Sequence, residues 1–228
     1  MDYCFTRGHR DFHAAPEDDG YCAAEARLER FTSIDPPLLA NYIVRLFRAP
    51  AFLADKYTDD QIAGATWFMF GVASEYFASV RAKCVPHHRQ TECVSAVTTL
   101  YTELFDRVCG KRGSDPDTDY RDTIEVDGAV YMVWDMDYID GAILFDDENP
   151  HLVDPAFAVL RTILERCRTS ACLVSALHGL GHVRMYHEEH NRSLARRAAE
   201  LIDRFLAERR PIHWLREYAE AAKAGHIL

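Results

Sequence analysis

His178 and His182 stand four residues apart in Ala176-Leu-His-Gly-Leu-Gly-His182, a spacing that puts two imidazoles on one face of a helix, one turn apart. Histidines so placed can hold a divalent metal, and His187, Glu188 or His190 could add a ligand from the loop expected to follow. Hydrolytic zinc helices carry a general-base Glu directly after the first His. Here that position is Gly179, which excludes the metalloprotease form of the motif. The competing reading is a tightly packed inner helix whose histidines bond to neighbouring turns. On sequence that reading is favoured, because a buried metal also needs outer partners to orient its ligands.

A second group, Asp135, Asp137 and Asp140 beside Trp134, could do acid–base work if its environments separated the carboxyl pKa values, or could present a binding surface. Asp115, Asp117 and Asp119 reproduce the first half of a calcium loop, but Tyr120 replaces the turn glycine and Val126 the bidentate Glu. No GxSxG elbow, phosphate-binding glycine loop or dinucleotide fingerprint occurs. Cys172 could pair with His178, yet nothing in the sequence activates its thiol. No cofactor is expected, a divalent metal at the histidine pair being the one exception.

The elements that must position these residues read as helices. Asp35-Pro36 is an N-cap followed by a proline tolerated at the first helical position, and Leu39, Ile43, Leu46 and Phe47 mark one apolar face before Pro50. Thr58-Asp-Asp-Gln61 is a capping box, after which one long helix is expected through Met69, Tyr76 and Val80. Another carries Val94, Val97, Tyr101, Leu104 and Val108 to the breaker at Cys109-Gly110. Residues 123–134 fit either a hairpin turning at Asp127-Gly128 or a short buried helix capped by Asp127, and the helical surroundings favour the helix. Beyond Pro150 four helices are expected, from Asp154, Ser170, Ser193 and Pro211, with Gly225 closing the last. Their starts recur at about 40 residues, the period of two-helix HEAT units.

The expectation is therefore an all-α fold, with residues 1–34 an irregular arm or a short helix, and 35–228 one helical domain in which 154–228 form the clearest repeat pair. Gln61-Ile-Ala-Gly-Ala-Thr-Trp-Phe-Met-Phe-Gly71, Tyr131-Met-Val-Trp-Asp135 and Ala176 to His182 resemble segments of a group of uncharacterised bacterial proteins. That resemblance spans about residues 55 to 210 and implies an armadillo- or HEAT-like helical array. It carries no function.

Composition narrows the partners. At 228 residues and 48% hydrophobic the chain can bury a continuous core. Seven cysteines without a CxxC pair read as reduced core thiols. A formal charge of -10 disfavours nucleic acid. The first residues lack the pattern of a secretory signal and no apolar run reaches a membrane span, so the expected compartment is the cytoplasm. Thirteen acidic residues lie between Asp115 and Asp154, whereas Arg184, Arg192, Arg196, Arg197, Arg204, Arg209, Arg210 and Arg216 gather near the end. Opposed patches steer protein partners and self-association. The leading expectation is a non-enzymatic helical-repeat module of adaptor or immunity type that binds a basic protein. The second is a metal-dependent enzyme centred on His178 and His182.

Overall fold

Capping signals decide where the first helices begin. In the computed structural model, which describes residues 2–71, 74–110, 125–136, 139 and 141–227, every regular element is a helix. Helix α1 spans Tyr21–Thr32 and α2 Pro36–Phe47, the latter opened by the Asp35 carboxylate accepting from the Leu38 N–H. Both halves of the capping box form at α3, Asp59–Phe70. The Gln61 N–H donates to Thr58 Oγ1 at 3.2 Å and the Thr58 N–H to Gln61 Oε1 at 3.0 Å. Such caps contribute about 1 kcal/mol each.

The long helix expected after Thr58 is interrupted. It stops at Gly71, where the Ser74 hydroxyl donates to the Phe68 carbonyl, and the chain restarts as α4, Tyr76–Val80, after Glu75 in a left-handed conformation. The apolar spacing of Tyr76 and Val80 continues across the break, which is why sequence joins the two. Helix α5, His87–Thr99, runs on through a π-helical turn, Leu100–Phe105, to Val108. Residues 115 to 124, including the calcium-like loop, lie outside the described residues.

At the ambiguous stretch the chain is helical: α6, Glu125–Tyr131, continues as a 3-10 turn, Met132–Trp134. Asp127 does not cap it. The Asp127 carboxylate instead accepts from the Gly110 N–H, tying α6 to the end of the preceding helical run. A short α7, Gly141–Leu144, leads into α8, Pro150–Arg166, α9, Ser170–His190, α10, Arg192–Arg209, and α11, His213–Ala224. Helix α8 begins four residues earlier than expected. Pro150 supplies the first-turn proline and Pro155 lies inside the helix, where its missing N–H removes a ladder bond. Helix α9 runs seven residues past Val183, so His187 and His190 ride on the helix and not on a loop.

The stretch 1–34, expected to be irregular or briefly helical, carries a π-helical turn Cys4–Gly8 as well as α1. Tyr3 stacks on Phe31 and meets Phe68 edge-on, while Phe5 stacks on Tyr57, so these rings join the common core. At the centre lies α9, buried without interruption from Ala171 to Gly181 and packed by α6, α8, α10 and α11. A helix apolar on all sides must be enclosed. No helix among the described residues is long and apolar enough to cross a membrane.

Candidate metal centre

Three consecutive turns of α9 face α6. On the first, the Ser175 hydroxyl donates to the Val130 carbonyl at 2.6 Å and lies 2.7 Å from the Tyr101 hydroxyl. The next carries His178, the last His182. Gly179, beside His178, has a specific steric duty: a Cβ there would come within 2.9 Å of Trp134 Cβ and Cγ. Trp134 is fully buried in that groove. Its seat on α9 delivers the next residue, Asp135, to the histidine pair. The residue type that rules out the protease motif is thus the one that admits the tryptophan.

Asp135 Oδ1 lies 3.4 Å from His178 Nε2 and 3.3 Å from His182 Nε2, and the three ligand atoms all fall within 4.8 Å of one another. Donors held by zinc at about 2.1 Å stand about 3.4 Å apart in a tetrahedron and about 3.0 Å apart at the corners of an octahedron. The two edges from Asp135 Oδ1 match the tetrahedron. His178 is wholly buried, and its Nε2 makes no hydrogen bond, the 3.4 Å contact with Asp135 Oδ1 lacking the alignment for one. A buried polar nitrogen left in that state costs about 1–3 kcal/mol, so it calls for an explanation.

Burial, and secondarily the neighbouring His182, hold the His178 imidazole neutral to well below the usual histidine range, against the opposing pull of Asp135. Neutral imidazole is the form that ligates metals. On the far side of the ring, the hydroxyls of Tyr218, from α11, and Tyr131, from α6, lie 2.7 and 3.1 Å from Nδ1. Outer partners of this kind fix ring orientation at metal sites. The centre is open on one side, since Asp135 and His182 keep 31% and 15% of their side chains exposed.

No known family, curated protein or solved structure matches this chain.

The structure separates the candidates named from sequence. His178 and His182 come together with Asp135. His187 does not join them: its Nε2 bonds the Ile143 carbonyl at 3.0 Å on the opposite side of α9. Trp134 is a buried wedge and offers no binding surface. Asp137 and Asp140 lie outside the described residues. Sequence did not link Asp135 to the histidines, nor mark Tyr131 and Tyr218, since all three lie outside α9 and reach it only by tertiary packing.

Other groups have structural employment. Arg184 bonds the Lys223 carbonyl and Glu188, Arg209 bonds the carbonyls of Glu165 and Cys167, and Arg197 pairs with Asp154 over the Phe157 ring, so part of the C-terminal arginine cluster ties helices together. A cleft of about 780 Å³ near the N-terminus is lined by Arg27 and Asp11, among others. Those two are already joined by a two-pronged ion pair, and the cleft does not include the histidine pair.

Proposed function

We propose that this chain is a metal-dependent enzyme whose zinc is held by Asp135 Oδ1, His178 Nε2 and His182 Nε2. The observation that carries this reading is the buried, unpartnered His178 Nε2 standing at coordination spacing from a carboxylate that also faces His182. Three protein ligands with a fourth position open toward solvent is the pattern of catalytic zinc, whereas structural zinc is closed by four. In such a site zinc supplies Lewis acidity and lowers the pKa of a bound water to about 7, the chemistry of hydrolysis. Asp135 brings the negative charge that the cation needs, and Trp134 excludes water from the inner side.

Elemental analysis of the purified protein tests this directly, alongside Asp135→Asn and a His178→Ala, His182→Ala double variant. One zinc per chain that disappears in both variants is expected. A wild-type protein that takes up no zinc, or variants that keep it, would overturn the reading.

The finer arrangement of α8 to α11 as two stacked hairpins of HEAT or armadillo type is also proposed. Helix starts at Pro150 and Arg192, and at Ser170 and His213, recur at nearly equal spacing, which supports it. The protein-binding role ranks second, because Trp134, expected to help carry it, is fully buried.

A further inference from the structure

Two phenol groups approach one nitrogen of His178, Tyr218 at 2.7 Å and Tyr131 at 3.1 Å from Nδ1. A neutral imidazole carries one N–H and one lone pair, so Nδ1 either donates or accepts according to where the ring proton sits. Without a cation, the Asp135 carboxylate 3.4 Å from Nε2 repels a lone pair there and attracts an N–H. The proton then belongs on Nε2, and Nδ1 accepts a hydrogen bond. When Nε2 ligates a metal the requirement inverts: its lone pair is used, and the proton must sit on Nδ1 and be donated.

A carboxylate or a backbone carbonyl beside Nδ1 could only accept, and would suit the second state alone. A tyrosine hydroxyl can do either. We propose that Tyr218 is the positioning residue for zinc at His178, its hydroxyl donating to Nδ1 in the metal-free protein and accepting from Nδ1–H once Nε2 holds the metal, with Tyr131 a weaker partner on the same nitrogen. The ring gives up one proton at Nε2 and takes one at Nδ1, so His178 releases none overall. Tyr218 lies on α11, so this makes the seating of the last helix part of the metal site. The inference rests on the zinc reading.

The test is ¹⁵N NMR of the His178 ring with and without zinc, together with zinc affinity by chelator competition in the wild type, Tyr218→Phe and Tyr131→Phe. Both variants keep the aromatic ring, and the wild-type spectra stand even if a variant folds poorly. Expected are a change from the Nε2–H to the Nδ1–H signature on zinc addition, and an affinity loss of about 10–100-fold in Tyr218→Phe, larger than in Tyr131→Phe. An unchanged tautomer, unaltered affinity in Tyr218→Phe, or a greater loss in Tyr131→Phe would overturn the role of Tyr218 while leaving the zinc site standing. A wild type that binds no zinc would remove both.

Discussion

Two groups of metal-ligating atoms converge within 4.8 Å among the described residues, Asp135 with His178 and His182, and Asp106 with Cys167 and Cys172. They differ in what is left to bind. In the second group Asp106 Oδ1 already accepts from the N–H groups of Arg168 and Thr169 and from the Thr169 hydroxyl, fastening the turn between α8 and α9. Burial keeps the Cys172 thiol protonated well above the ordinary range, and contact with Cys172, followed by burial, does the same for Cys167. Metals bind thiolates, so a cation there would have to displace protons that the site holds firmly. Around Asp135 burial holds the His178 imidazole neutral, its Nε2 makes no hydrogen bond, and the carboxylate faces both histidines. Proximity of ligand types is common in cores; an unmet buried valence is what separates a centre from a junction.

Exchanging the ligands of each group gives the largest expected contrast. Asp135→Ala or His178→Ala should lower zinc affinity by more than about a hundredfold, since each of the few ligands carries a large share of a binding free energy of about 10 kcal/mol or more. Cys167→Ala combined with Cys172→Ala should leave zinc stoichiometry unchanged. Measured by chelator competition, zinc lost in the cysteine variant and kept in the histidine variant would reverse the comparison.

The two glycines flanking Leu180 sharpen it next. A Cβ at Gly179 meets the rigid base of the Trp134 side chain, whereas one at Gly181 meets the branches of Ile227, near the chain end, within 2.6 Å of Cδ1. Gly179→Ala should therefore cost about 1–3 kcal/mol. At roughly 2–4 °C per kcal/mol for a chain of this size, its melting temperature falls by several degrees. Because Trp134 carries Asp135, zinc affinity should fall with it. Gly181→Ala should lower the melting temperature less and leave the affinity alone. Equal effects at both positions would mean that the Trp134 seat does not set the ligand geometry.

Much of the scaffold was legible in the sequence, because caps and apolar spacing are local. Asp35, the Thr58–Gln61 box and Gly225 mark helix ends where the sequence puts them. The break at Gly71 was hidden because Tyr76 and Val80 keep the apolar spacing of the helix before it. Half of the candidate site was legible too, since His178 and His182 lie one turn apart on a single helix. Asp135, 43 residues earlier, reaches them only through the packing of Trp134 on Gly179, and His187 was misplaced because α9 outlasts its apolar stretch. Pairings set by tertiary contact leave no spacing to read.

Alkali should probe the thiol junction in turn. The folded-state pKa values of Cys172 and Cys167 are raised above the 9.0 of a free thiol. Above that pH the unfolded chain releases protons that the folded chain retains, so this contribution is fully present below pH 9 and is lost as pH rises beyond it. Urea midpoints between pH 8 and 10 should decline in the wild type and decline less steeply in Cys172→Ala. Identical slopes would show that the junction thiols are not the groups responsible.

The smallest expected effect on zinc is the most discriminating test of register. His187 follows His178 by nine residues, and at about 100° per residue that places it about 180° around α9. There its Nε2–H donates to Ile143 and its Nδ1 is buried without a partner, with Asp146 4.0 Å from Nε2. This nitrogen is as orphaned as His178 Nε2, but no second histidine and no carboxylate at coordination spacing accompany it among the described residues. His187→Gln can still offer an N–H to the Ile143 carbonyl, so stability should change by about 1 kcal/mol or less and zinc affinity by less than the error of the competition assay. A loss comparable to that of His178→Ala would place the metal on the other face of the helix, and the Asp135 cluster would then be a polar contact and nothing more.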